Sequence, residues 1–151
     1  PLAGEVRELP KTEFKPVDET TPVFKNFYIS NVYVNGAAKG IFVRGLPEMP
    51  VQNVVLENMV LQANKGIEMQ EANNIVCRNI AVKAKETAPV VELIQSKNLL
   101  FDNITFPGSS QLLYRVAGDR TAGIVLKKQQ ATANQQLQLE LGATAAAVTM
   151  Q

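Results

Sequence analysis

The 151 residues fit one domain, and an apolar content of 46% is enough to bury a real core. With 15 basic and 14 acidic residues the net charge is +1, and no basic block of the kind that tracks phosphates occurs, which sets a nucleic-acid partner aside. No run of about 18 apolar residues is present to span a membrane, and the one cysteine, Cys77, forms no intrachain disulfide and reads as a core residue.

The start, Pro1-Leu2-Ala3-Gly4-Glu5, has neither a charged n-region nor an apolar h-region, and proline rather than methionine at the first position points to a stretch from within a longer protein. Residues 1–22 hold Pro1, Pro10, Pro16 and Pro22 and the charged run Lys11-Thr-Glu-Phe-Lys15. They lack alternation and are predicted to form a linker or extended strap.

Residues 23–118 repeat one frame. An asparagine is followed by three residues, mostly apolar at the first and third, then a polar residue, a second asparagine, and apolar residues at alternate positions. The copies are Asn26-Phe-Tyr-Ile-Ser-Asn31-Val-Tyr-Val34, Asn53-Val-Val-Leu-Glu-Asn58-Met-Val-Leu61, Asn74-Ile-Val-Cys-Arg-Asn79-Ile-Ala-Val82 and Asn98-Leu-Leu-Phe-Asp-Asn103-Ile-Thr-Phe106. They start 27, 21 and 24 residues apart.

A second apolar stretch follows each pair: Ile41-Phe-Val43, Ile67-Glu-Met69, Val91-Glu-Leu93 and Leu112-Leu-Tyr114. Alternation of period two means strand, and no apolar face of period 3.6 persists to suggest helices. The predicted fold is therefore an all-β parallel β-helix of about four coils. Its inward columns are Phe27, Val54, Ile75, Leu99; Ile29, Leu56, Cys77, Phe101; Val32, Met59, Ile80, Ile104; and Val34, Leu61, Val82, Phe106. Asn31, Asn58, Asn79 and Asn103 fall where the chain turns, suiting left-handed backbone and an amide ladder along the axis.

After Gly118 the frame stops. Residues 119–151 are predicted as a C-terminal β cap made of Gly123–Lys128, Gln136–Leu141 and Ala146–Gln151, with Gln129–Gln135 as a connecting loop.

The stretch Val43-Arg-Gly-Leu-Pro-Glu-Met-Pro-Val51, followed by Asn53-Val-Val-Leu-Glu-Asn58-Met, resembles the late coils of polygalacturonase-like enzymes of glycoside hydrolase family twenty-eight, the Bacteroidetes-type members most of all. The similarity runs from about Pro16 to about Thr105 and is weaker through the tail. The resemblance implies a right-handed parallel β-helix of the pectin-lyase-like kind and hydrolysis of α-galacturonosyl linkages with inversion. It also implies pectin or polygalacturonate as the polysaccharide partner, no cofactor or metal, and a periplasmic, cell-surface or secreted parent protein.

Inversion needs a carboxylic acid and a second carboxylate across the sugar. The family supplies them from Asn-Thr-Asp and Asp-Asp motifs, and adds Gly-His-Gly and Arg-x-Lys. None of the four occurs in this sequence, and histidine is absent. No catalytic residue carries over, so the chain alone is expected to be inert, with the catalytic coils lying upstream.

Glu68 and Glu92 sit at outward positions one coil apart, the kind of pair that does acid/base work, although solvated surface carboxylates are the plainer reading. Arg44 and Lys65 are the candidate substrate-binding residues, since cations pair with sugar carboxylates, against a plainer reading as rim charges. The Gly45–Pro50 loop is either a binding loop or a stiffened turn. Asn103-Ile-Thr105 has glycan-acceptor spacing, which the inward Ile104 argues against.

A non-catalytic carbohydrate-binding module and a purely structural cap are the competing classes; the first wants rows of outward aromatics, for which Tyr28, Tyr33, Phe42 and Tyr114 are available. Finally, the stack headed by Phe27, Ile29, Val32 and Val34 needs a cover at its open end. Either the strap supplies it through Leu9 and Phe14, or two chains associate there.

Overall fold

The computed structural model describes residues 7–11 and 13–151, so part of the predicted strap, residues 1–6 and 12, lies outside the described residues. The chain forms a parallel β-solenoid of about five turns, consistent with a pectin-lyase-like fold. Its strands are β1 (Lys25–Arg44), β2 (Val51–Gln70), β3 (Ala72–Ala84), β4 (Val91–Ile94), β5 (Lys97–Thr105), β6 (Ser110–Ala117), β7 (Ala122–Gln130), β8 (Ala133–Glu140) and β9 (Val148–Met150). Among the described residues no helix is long and apolar enough to cross a membrane.

The expected columns are the observed ones. Phe27 pairs with Val54, Val54 with Ile75, and Ile75 with Leu99; the columns of Ile29 and Val32 run likewise, and that of Val34 runs through Leu61 to Val82. From the second coil on these side chains are buried, Ile80 at 1% exposure and Phe101 at 0%. Cys77 lies among them, and burial pushes its thiol up to about 12, so it stays protonated and unreactive.

The corners follow from asparagine chemistry. All eight frame asparagines, the first of each pair as well as the second, hold φ between 54° and 65°. An ordinary L-residue pays for that left-handed geometry, whereas asparagine tolerates it. Their amides stack: Asn79 donates to Asn58 at 3.2 Å, Asn103 donates to Asn79 at 2.8 Å, and Gln130 extends the ladder to Asn103 at 2.8 Å. Replacing Asn79 with Ala is therefore expected to cost about 1–2 kcal/mol from backbone geometry alone, plus the ladder bonds. Asn79→Gly keeps the geometry and loses only the bonds, so urea denaturation should rank it between wild type and Asn79→Ala. Asn79→Gly no more stable than Asn79→Ala would show that left-handed geometry is not what the asparagine supplies.

Coil lengths differ for local reasons. The first coil carries a bulge at Gly36 and the six-residue turn Gly45–Pro50, where the second coil turns on Glu71 alone. Gly45 is required at its place, because a Cβ there would lie 2.2 Å from the Glu71 carbonyl oxygen. The third coil is lengthened by the loop over residues 85–90.

Three expectations are corrected. Leu112-Leu-Tyr114 is not the stretch aligned with Val91-Glu-Leu93; Tyr114-Arg115-Val116 is, a shift of two residues that leaves the inward parity unchanged. Tyr114 is accordingly inward, at 1% exposure, with edge-on contacts to Phe101 and Phe106 at 5.5 Å. Gln129–Gln135 is not a loop either, since β7 runs to Gln130 and β8 begins at Ala133. Gln129 continues the Val32 column and pairs with the buried Tyr114 hydroxyl, while its Nε2 donates to the Phe101 and Lys127 carbonyls at 2.9 and 2.8 Å. A polar side chain ends the column because the tyrosine below needs a partner.

The stretch expected as a cap extends the same ladder: β7 lies parallel on β5, β8 on β6 and β9 on β7. A 3-10 turn at Ala145–Ala147 leads into β9, and beneath this cover Ile124 and Leu126 are fully buried. The described strap residues run down the outside of the stack. Arg7 meets Glu140 of the fifth coil at 2.6 Å, Phe14 lies over the Arg120 guanidinium at 5.0 Å, and residues 15–22 border the turn bearing Leu46 and Glu48.

Candidate functional site

Each coil presents a second, outward-facing column on the strands that carry the late apolar stretch. Phe42 pairs with Glu68, Glu68 with Glu92, and Glu92 with Arg115, then Gln138. Stacking these positions one inter-strand spacing apart, roughly 4.8 Å, concentrates charge on one flank. The loop over residues 85–90 stands beside it, and Arg7 of the strap crosses it. Together they enclose a cleft of about 240 Å³ lined by Lys65, Glu68, Glu86, Glu92, Arg115 and Arg7, among others.

The cleft is a mixed-charge site. Glu68 pairs with Lys39 at 2.8 Å. Glu92 receives Arg7 and Arg115, each at 3.4 Å, and Arg115 also approaches Glu140 at 3.8 Å. Arg115 is the most enclosed cation, its side chain 10% exposed, and its Nε is buried without a hydrogen-bond partner. That Nε faces the Glu140 carboxylate beyond hydrogen-bond reach, while Nη1 points to Glu92 on the cleft wall, and carboxylates are the best-matched acceptors of a guanidinium.

The predicted site residues divide. Glu68 and Glu92 are adjacent in register, as expected, and each faces a cation. Lys65 is exposed on the rim of the cleft. Arg44 is exposed too, but it borders the open apolar end of the solenoid, so the two cations do not converge.

Arg7, Glu86 and Arg115 escaped the sequence reading. Arg115 had a usable signal, being the middle residue of Tyr114-Arg-Val116, which matches Val91-Glu-Leu93 as well as Leu112-Leu-Tyr114 does. Outward aromatic rows do not form: Tyr28 heads a column of Val55, Val76 and Leu100, Tyr33 one of Val60 and Ala81, and Tyr114 is buried. Among the described residues no group of three or more His, Cys, Asp or Glu side chains could hold a metal ion.

These features define a parallel β-solenoid with a charged lateral cleft. No protein-family profile matches the chain, and no curated protein or solved structure matches it.

Proposed function

We propose that this chain is the polysaccharide-gripping, non-catalytic part of a polygalacturonase-like protein acting on pectin-type galacturonan. The observation that carries the reading is the convergence of three cations, Arg115, Lys65 and Arg7, on one cleft beside Glu68, Glu86 and Glu92. A uronate carboxylate would pair with Arg115 and Lys65, and sugar hydroxyls would donate to Glu68 and Glu86. The volume, below the roughly 300–1,000 Å³ of drug-sized sites, suits a sugar unit of a longer chain that runs past the solenoid flank. Hydrolysis on this reading needs an acid/base pair supplied by other parts of the polypeptide, since the Asp-Asp and Gly-His-Gly motifs are absent.

Titration with tri-galacturonate, followed by NMR, should perturb amides of Lys65, Glu92 and Arg115, with a Kd on the order of 1 mM. The neutral galactose trisaccharide should bind at least tenfold more weakly. Arg115→Lys keeps the charge but loses the two-pronged geometry and should weaken binding severalfold. Equal response to the charged and neutral sugars, or perturbations elsewhere on the surface, would rule the reading out.

A further inference from the structure

The strap that carries Arg7 is lightly held. Every described residue from Lys11 to Thr20 is exposed, and among the described residues no backbone hydrogen bond joins residues 7–20 to the solenoid. Among those residues ion pairs and a cation–π contact fasten it at two places, Arg7 on Glu92 and Glu140, and Phe14 over the Arg120 guanidinium at 5.0 Å. Neither Leu9 nor Phe14 lines the open apolar end at β1, so the strap is not the cover expected for that end. A segment with so few buried contacts opens at low free-energy cost.

One of the two places is the charged cleft. Arg7 and Arg115 share the same two carboxylates: Glu92 lies 3.4 Å from each, and Glu140 lies 2.6 Å from Arg7 and 3.8 Å from Arg115. Glu92, Arg115 and Glu140 stand on β4, β6 and β8, successive strands of one sheet, whereas Arg7 comes from the strap. The cleft is lined by three cations, Arg7 among them, and three carboxylates; Lys39 and Glu140, which pair into it, make four of each. With the strap lifted, three cations face four carboxylates, and a net negative cleft repels an anionic ligand.

We propose that strap docking and uronate binding are coupled, so that the strap is a clamp that closes on the bound sugar. Docked Arg7 supplies the cation that offsets the carboxylates of the cleft wall. A uronate carboxylate that engages Arg115 adds negative charge beside Arg7 and so holds the strap more firmly. The coupling is reciprocal: the factor that docking adds to sugar affinity is the factor that the sugar adds to docking. The inference rests on the sugar reading for its ligand. It differs from simple contact through Phe14, which fastens the strap from outside the cleft and lines no part of it.

Tri-galacturonate binding to the full chain, followed at the Lys65 and Arg115 amides by NMR, should weaken about tenfold in Arg7→Gln and about fivefold in Phe14→Ala, within the usual range of coupling between sites. Both substitutions lie outside the strands and should leave the far-ultraviolet circular dichroism unchanged. In the wild type, saturating tri-galacturonate should slow tryptic cleavage after Lys11 by about the factor that Arg7→Gln loses in affinity, and the neutral galactose trisaccharide should leave cleavage unchanged. Wild-type binding that is undiminished in Arg7→Gln or in Phe14→Ala, or cleavage that tri-galacturonate does not slow, would overturn the clamp and leave the sugar reading standing. Absence of wild-type binding would overturn both.

Discussion

Replacing Ile80 with Asp is expected to abolish folding of the chain. Ile80 is 1% exposed, between Met59 below and Ile104 above, in a column whose outward neighbours cannot reach it. An unpaired carboxylate in that position costs several kcal/mol, against a total stability of about 5–15 kcal/mol for a domain of this size. A solenoid magnifies the loss, because each coil is stable only through its neighbours. Breaking the third coil separates the first two from the last two. Leu56→Asp, at 6% exposure in the neighbouring column, should act the same way. Tyr28→Ser provides the contrast: the ring is 64% exposed and its hydroxyl meets Glu57 at the surface, so a loss within about 1 kcal/mol is expected. Urea denaturation read by circular dichroism compares the three directly, and similar midpoints for Ile80→Asp and Tyr28→Ser would mean that inward and outward faces had been interchanged.

The columns were legible because two independent signals coincide in each coil. The period-two alternation says which side chains share a face, and the paired asparagines say where the face ends; in Asn74-Ile-Val-Cys-Arg-Asn79 both can be read from six letters. Where one signal lapses, register is lost. Between Phe106 and Gly118 no asparagine marks the corner, and the choice between Leu112 and Tyr114 as the partner of Val91 rests on the length of a turn that local sequence leaves open. The third corner was invisible for a similar reason. Glu71, Gln95 and Leu141 hold left-handed φ of 51°, 47° and 54°, yet no shared residue type announces them, because the stack around them imposes the geometry. In the C-terminal coil Gly123 and Lys128 stand at the two asparagine corners with φ of 67° and 52°. The ladder thus continues with its marker residues replaced, and the sequence reads as a cap. The cleft was half legible: Glu68 and Glu92 follow from the repeat, whereas Arg7 joins them from 85 residues away through a strap with no periodic signal.

Arg120→Met is expected to destabilise the chain by about 3 kcal/mol, the lower end for breaking a buried ion pair, because Arg120 remains partly open to solvent. Glu71 is 3% exposed and receives Arg120 through both terminal nitrogens, at 3.1 and 2.5 Å. The same hydrogen bonds raise the guanidinium above the ordinary arginine range, so no working pH removes its charge. The pair ties the corner after the second coil to the corner after the fourth, with Gln95 between them accepting from the Arg120 backbone at 2.9 Å. Phe14 packs on the outer face of the guanidinium, which makes this a second point where the strap is held to the solenoid, beside the pairing of Arg7 with Glu140 and Glu92. Removing the arginine leaves a buried carboxylate with no cation beside it, and also loosens the strap around Phe14. Glu71→Gln in the Arg120→Met background removes the stranded charge and should recover most of the stability, although the strap stays loose. Thermal melts of the two single variants and the double variant give the coupling, and limited proteolysis near Lys11 and Lys15 reports the strap separately. If the double variant melts no higher than Arg120→Met alone, the stranded charge is not what the arginine neutralises. If proteolysis is unchanged in both, Phe14 is held by something other than the guanidinium.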